Sequence, residues 1–292
     1  MCRLFMSVFS REELQLISNL IELFIKSSEE DPYLRELTGG RASHSDGWGM
    51  AALMVKERGV EGIYYRMGMP IYVRESKELI KMFTSLLSAY ETIYLLLHSR
   101  AASRNLPLGK EHAHPYMENL SCGTLWFAHN GLLKKEELLN KVKGEHITLL
   151  GHELTDSALA SKYLAHTIES KVCKGNEELL KVVRDAYIEL RKYVIMSSAL
   201  NTGLLMAIKF KPMLIASYVV GEEVRLSKLR SDYYKLYRIE VLREGDRSAI
   251  IISSSTLIDY YLESSKGLRI SPVKDEGLIV IEDLQKIKFI PL

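Results

Sequence analysis

Residues 4–9, Leu-Phe-Met-Ser-Val-Phe, form an almost unbroken apolar run that begins at the very start of the chain. A short continuous run of this kind reads as a buried strand, so the first strand of the fold is an interior one. Ser10 and Glu13 follow with capping-box spacing for a helix. Leu14, Ile17, Leu20, Ile21, Phe24 and Ile25 then recur on one face of that helix. Residues 27–45 are polar, with Pro32 and the Gly39-Gly40 pair, and read as a loop.

The rest of the chain divides by the same signals. Residues 49–55 and 62–67 are predicted strands around a charged turn at 56–59. Leu79, Ile80, Phe83, Leu86 and Leu87 mark a second amphipathic helix. Residues 93–97 form a strand ending at His98-Ser99-Arg100, and 101–120 read as an irregular loop. Residues 124–128 form another strand, ending at His129-Asn130-Gly131. Helices are expected near 134–141, 156–168 and 177–193. A hairpin of 204–210 and 213–220 is expected around a Lys211-Pro212 turn, with later strands at 249–253 and 278–281. Residues 226–237 fit neither template. This order lacks the steady strand–helix alternation of a parallel sheet and suits layered antiparallel sheets with helices outside. Without an internal repeat or a linker, residues 1–292 read as one α+β domain.

Charge and cysteine usage narrow the function classes. Lys+Arg 39 against Asp+Glu 37 leaves +2, which gives no reason to expect a nucleic acid or a membrane as partner. No apolar run reaches the ~20 residues of a membrane span, and the first residues are too short a stretch for a secretory signal. Cys2, Cys122 and Cys173 are an odd number in a long chain and form no disulfide framework, so a reducing, cytoplasmic location is expected. Cys122 and Cys173 are then inert core or helix-face residues.

Cys2 is the first candidate for chemistry. Once Met1 is removed, Cys2 carries both a thiol and an α-amino group, whose pKa of about 7.7–8.0 suits a general base. For an arbitrary chain, a Cys at the start of a buried strand is the plainer reading. Arg100, leaving a strand, has the planar fork that clamps a carboxylate; alone it is a surface ion pair. Asn130 beside Gly131 offers a carboxamide and an N–H, the donors of an oxyanion hole; alone, Asn-Gly is a turn. Thr155-Asp156-Ser157 is either an N-cap or a carboxylate placed for a substrate ammonium. His44-Ser45-Asp46-Gly47-Trp48-Gly49-Met50 is a glycine-rich approach to a strand.

Taken in order, the segments 1–5, 45–51, 98–103, 112–116, 127–131 and 155–157 resemble the class II glutamine amidotransferases of the N-terminal-nucleophile hydrolase superfamily. The match is to the stand-alone branch beginning Met-Cys-Arg, similar to the γ-glutamyl amide hydrolases of ergothioneine and glutathione metabolism. It spans roughly the first 160 residues, with a weaker echo at 253–257. The resemblance implies a four-layer αββα sandwich of antiparallel sheets. It also implies Cys2 as nucleophile with its α-amine as base, and Asn130 and Gly131 as oxyanion donors. Arg100 would hold the substrate carboxylate and Asp156 its ammonium, while Ser103 and His129 would belong to the substrate site. Relatives fused to synthases carry Thr-His where this chain has Ser103-Arg104, which leaves Arg104 without a matching role. The implied reaction is hydrolysis of glutamine or a γ-glutamyl conjugate through a Cys2 thioester. Its ammonia would be released or accepted by a separate synthase subunit. No cofactor and no metal are expected.

Two other readings compete. One is a zinc site drawn from His98, His112, His114 and His129 with Cys122. The other is a catalytically silent binding or regulatory subunit that keeps the same fold.

Overall fold

The structure, a computed structural model, describes residues 2–57, 59–103, 106–149, 154–264 and 266–292. Met1, whose removal the sequence reading requires, and Arg104 lie outside the described residues. The chain opens with β1 (Cys2–Ser10), α1 (Leu14–Glu29), α2 (Pro32–Thr38), β2 (Trp48–Lys56), β3 (Gly59–Met67) and α3 (Arg74–Leu87). It continues with β4 (Thr92–Arg100), β5 (Tyr116–Leu120), β6 (Gly123–Gly131), α4 (Lys135–Gly144), α5 (Asp156–Ile168) and α6 (Leu179–Arg191). The last part holds β7 (Leu200–Ile208), β8 (Lys211–Tyr218), α7 (Glu222–Leu226), α8 (Lys228–Tyr234) and β9 (Leu236–Arg243). Then come β10 (Asp246–Ser254), β11 (Leu268–Pro272), β12 (Gly277–Ile281) and β13 (Ile287–Pro291).

The strands pair antiparallel in two sheets, of order β11-β9-β10-β1-β4-β2-β3 and β13-β12-β8-β7-β6-β5. β1 is the middle strand of the first, which explains its apolar run: both of its faces are covered. Leu4, Met6 and Val8 enter the layer between the sheets, while Phe5 and Phe9 pack with Ile17, Phe24 and Phe83 of α1 and α3. β6 divides the same way. Trp126 and Ala128 face the inter-sheet layer, and Leu125 and Phe127 face Leu138, Leu159 and Val183 of α4, α5 and α6. Each such fully buried Phe, Leu or Met side chain contributes about 1.5–3 kcal/mol relative to exposure. The result is helices, sheet, sheet, helices: the expected αββα sandwich. No described helix is long and apolar enough to cross a membrane.

Local differences from the sequence reading have identifiable causes. Residues 27–45 are not all loop. α1 runs to Glu29, and α2 is built from an Asp31 N-cap, Pro32 in the first turn and a left-handed Gly39 just past the end. The capping box does not form: Ser10 makes no side-chain cap bond, and Glu13 instead accepts from Arg243 and Ser248. Within 101–120, residues 116–120 form β5. The β7–β8 turn is Lys209-Phe210, both at positive φ, a geometry that matches strand twist. Pro212 lies inside β8, beyond the reach of β12, so its missing N–H breaks no ladder on that side.

The cysteine reading also fails. Cys122, in the β5–β6 turn, and Cys173, after α5, form a disulfide with Cα atoms 5.3 Å apart. Packing of α5 on the outer face of its sheet carries its C-terminal end to that turn, where Ser121 N and Oγ also bond Glu169. A separation of 51 residues gave no hint of the pairing. The argument for a reducing compartment therefore loses its premise.

Candidate functional site

Strand alternation brings the candidate residues together. Cys2 lies directly opposite Arg100 in the β1–β4 ladder, so their side chains share a face. That face is the inter-sheet one, because Leu4 and Leu96 occupy it further along. On β6, Asn130 lies two residues beyond Ala128 and faces the same layer from the other sheet. The apolar layer thus ends in a polar mouth where β1 begins and where β4 and β6 end.

Cys2 is 6% exposed and its nitrogen donates to Asn130 Oδ1 at 2.9 Å. Asn130 Nδ2 is buried and has no partner among the described residues, which leaves a donor in hand beside Cys2. No side chain fits at position 131: a Cβ on Gly131 would sit 1.7 Å from the Ala199 carbonyl oxygen. Arg100 donates from one terminal nitrogen to the Pro107 carbonyl at 3.0 Å, while its other, Nη1, is buried without a partner among the described residues. Its backbone is fixed by the glycine-rich approach to β2. Arg100 N donates to the Gly47 carbonyl, Asp46 N donates to the Arg100 carbonyl, and Asp46 Oδ2 accepts from Ala102 N.

Asp156 opens α5, where the helix N-terminus favours a carboxylate. Its Oδ2 accepts from Leu133 N at 2.8 Å and its Oδ1 from Ser157 N at 2.9 Å, which fixes the carboxylate plane. Thr155 caps the helix through Ala158 N, and its hydroxyl meets that of Tyr116 at 3.0 Å. Cys2, Arg100, His129, Gly131 and Asp156 line one narrow cleft, with Tyr116 on its wall.

Beneath Asn130 lie three buried imidazoles. His114 Nδ1 accepts from His129 N at 3.3 Å, so the His114 proton is on Nε2. His98 Nε2 then donates toward His114 Nδ1 at 3.0 Å and the His129 carbonyl at 3.3 Å. His129 Nε2 donates to the Ala199 carbonyl, and its Nδ1 accepts from Ser157 Oγ at 2.9 Å. Burial pushes all three below the ordinary imidazole range, His98 to about 3, with Arg100 adding to the shift there. They are neutral braces that hold the His129–Asn130 backbone.

On the other side, β1 is anchored by charge. Arg3 is fully buried and pairs with Asp31, Nε to Oδ2 at 2.6 Å. It also donates to the Tyr233 carbonyl and lies over the Tyr233 ring. His44 Nε2 and Thr256 Oγ1 complete the Asp31 carboxylate. Burial acts to raise the Asp31 carboxyl, but Arg3 and His44 overcome it and hold it well below the usual range. Burial pushes His44 down to about 4. Leu4 N donates to Ser254 Oγ, so the 253–257 segment grips the same strand. The Arg3–Asp31–His44 set and Tyr233, whose hydroxyl donates to the Cys2 carbonyl, were not anticipated. The Met-Cys-Arg start was the one available signal.

Ser103 is half-buried on the segment after β4 and is not among the residues lining the cleft. The zinc reading does not hold for its proposed ligands. His98 and His114 face one another, Cys122 is in the disulfide, and no described group of three or more His, Cys, Asp or Glu comes together as a metal site.

The profile of the class II glutamine amidotransferases matches residues 33–218, well over half of the chain. No curated protein sequence matches significantly. Among solved structures, the glutamine phosphoribosylpyrophosphate amidotransferase of B. subtilis, complexed with ADP and GMP, has a TM-score of 0.58 at 13% identity, over 99% of this chain and 49% of its own. The allosteric regulatory enzyme of purine biosynthesis gives 0.57 at 13% identity, over 99% and 48%. A predicted glutamine amidotransferase of Pseudomonas aeruginosa gives 0.40 at 14% identity, over 100% and 94%. The chain thus spans about half the length of the first two.

Proposed function

The chain belongs to the class II glutamine amidotransferases, and from that premise we propose that it hydrolyses the side-chain amide of glutamine or of a larger γ-glutamyl conjugate, with Cys2 as nucleophile. The observation that carries this reading is the Cys2–Asn130 contact. The carboxamide oxygen receives the Cys2 nitrogen, and the amide nitrogen of the same group is left buried with no partner among the described residues. One side chain can then position the base and receive the oxyanion.

Removal of Met1 makes the Cys2 nitrogen a free amine. That amine takes the thiol proton as sulfur bonds to the amide carbon, and the carbonyl becomes an oxyanion between Asn130 Nδ2 and Gly131 N. Loss of one such donor typically costs about 10²–10³-fold in rate. The proton passes to the leaving nitrogen as the C–N bond breaks, giving ammonia or an amine and a γ-glutamyl thioester. Water, deprotonated by the same amine, cleaves the thioester. Arg100 Nη1 is the free donor for the α-carboxylate, and Asp156, fixed at the start of α5, receives the α-ammonium. His129 braces this site from behind, through Ser157 and the Asn130 backbone. Ser103 would reach the substrate only from the cleft margin. The domain assignment 1–292 and a cytoplasmic setting belong to the same reading, as does a separate synthase subunit that takes the ammonia.

The test is a panel of γ-glutamyl amides, glutamine included, assayed with wild type and Cys2→Ala, beside labelling by an electrophilic glutamine analogue. Product from wild type, none from Cys2→Ala, and a label on Cys2 are expected. Activity that survives Cys2→Ala overturns the mechanism. An unlabelled Cys2 with intact substrates favours a silent binding subunit.

A further inference from the structure

Besides the polar mouth at Cys2, the largely apolar inter-sheet layer carries charge at one lateral margin. There β9 directs Leu236, Arg238 and Glu240 inward, beside Ile250 and Ile252 of β10. Glu240 is 8% exposed, and its Oε1 accepts from both Arg238 and Arg247, at 2.5 and 2.9 Å. Two guanidiniums thus share one carboxylate in a partly desolvated place. Arg238 Nε is moreover buried with no hydrogen-bond partner among the described residues. A buried polar group left in that state is costly and calls for a partner.

A cavity of about 430 Å³ opens at this point, between the β9–β10 margin and the β12–β13 hairpin. Arg238, Arg247, Lys274 and Lys288 line it, with Asp275 the one lining carboxylate among the described residues, and the Lys288 ammonium is held by Glu282 at 2.7 Å. Its opposite wall carries Ile279, Ile287 and Phe289, the last 48% exposed. None of these residues lines the Cys2 cleft. The volume falls in the range of about 300–1,000 Å³ typical of small-molecule sites, and a few convergent polar groups on an apolar wall are their usual make-up. Planar guanidiniums suit an oxyanion better than a lone halide, because they match its geometry with parallel N–H groups.

We propose that this cavity is a second ligand site, separate from the Cys2 cleft, for a small organic oxyanion. Its phosphate or carboxylate head lies against Arg238 and Arg247, and its apolar body lies against Ile279, Ile287 and Phe289. Glu240 competes with the ligand for the same two guanidiniums, so removal of its charge strengthens binding.

Calorimetric titration of the whole protein with phenyl phosphate, benzoate, inorganic phosphate and neutral benzyl alcohol tests this. Phenyl phosphate or benzoate is expected to bind, inorganic phosphate at least tenfold more weakly, and benzyl alcohol not at all. Arg247→Met should weaken the bound probe by at least tenfold, and the exposed Lys274→Ala by two- to fivefold. Glu240→Gln should tighten it by threefold or more, a gain that damage to the fold cannot produce. Far-ultraviolet circular dichroism confirms that each variant is folded. Lack of binding by both aromatic anions overturns the proposal. So does binding that stays the same in Lys274→Ala and Glu240→Gln.

Discussion

The two strands that meet at Cys2 are secured by opposite means. β1 is held by a buried ion pair, Arg3 with Asp31, whose side chains are 1% and 0% exposed. β6 is held by neutral imidazoles, His98, His114 and His129, which exchange hydrogen bonds with each other and with backbone. Charge suits the first because a carboxylate can also collect Leu34 N, His44 and Thr256 and tie three segments to one strand. Neutrality suits the second because a cation beneath Arg100 would be repelled. The contrast teaches that a site of this kind needs rigid neighbours more than a particular chemistry of bracing, and that the two braces should fail differently.

The largest effect is expected from breaking the charged brace. In Arg3→Met the Asp31 carboxylate stays buried without its guanidinium, and removal of one partner of a buried pair costs about 3–5 kcal/mol. Denaturant unfolding should show that loss as a lower midpoint at unchanged slope. A loss below about 1 kcal/mol would mean that His44 and Thr256 suffice for Asp31, and the two braces would no longer be unlike.

Acid titration next separates the buried imidazoles, His44 included, from the Asp31 carboxylate. Buried imidazoles with folded pKa values below the unfolded value of about 6.5 bind fewer protons folded than unfolded. Stability from them is complete above about pH 6.5 and is lost as pH falls toward the folded values, about 3 for His98 and about 4 for His44. Asp31 is depressed instead, so its contribution is complete above its unfolded pKa of about 3.9 and is lost only below it. Unfolding free energy should therefore fall in two stages. In His114→Gln the slope between pH 6 and 4 should be shallower by about 1.4 kcal/mol per pH unit, the share of one imidazole. An unchanged slope would show that His114 is protonated in the folded state.

Legibility followed the same physics. β1 and β6 were readable because both faces are buried, and α5 was placed with its observed ends because Thr155 caps it. β9 was not: Tyr237, Ile239 and Val241 alternate with Arg238 and Glu240, yet the charged positions share the face of Leu236, which turns inward. α2 was missed because it is only seven residues long, opens with Pro32 and is followed by Gly39-Gly40, which resembles a loop. At the site, the order of the segments was visible, and alternation explains why Cys2, Arg100 and Asn130 converge. The supports were hidden because Arg3, Asp31 and Tyr233 lie up to 230 residues apart, and only the folded sheet makes them neighbours.

The smallest effect isolates what burial does to an ion pair. Arg74 and Glu78 on α3 form the same guanidinium–carboxylate contact at 2.8 Å, but with side chains 87% and 61% exposed. Water solvates both charges in either state, salt screens them, and ordering two long side chains opposes their attraction. At i,i+4 spacing such a pair contributes about 0.3–0.5 kcal/mol. Glu78→Gln should therefore shift the unfolding free energy by no more than about 0.5 kcal/mol, and by less in 0.5 M salt. A shift near that of Arg3→Met would mean that the strength of the Arg3–Asp31 brace comes from the bond itself. The expected result, several-fold smaller, assigns it to the cost of leaving Asp31 charged in the core without its guanidinium.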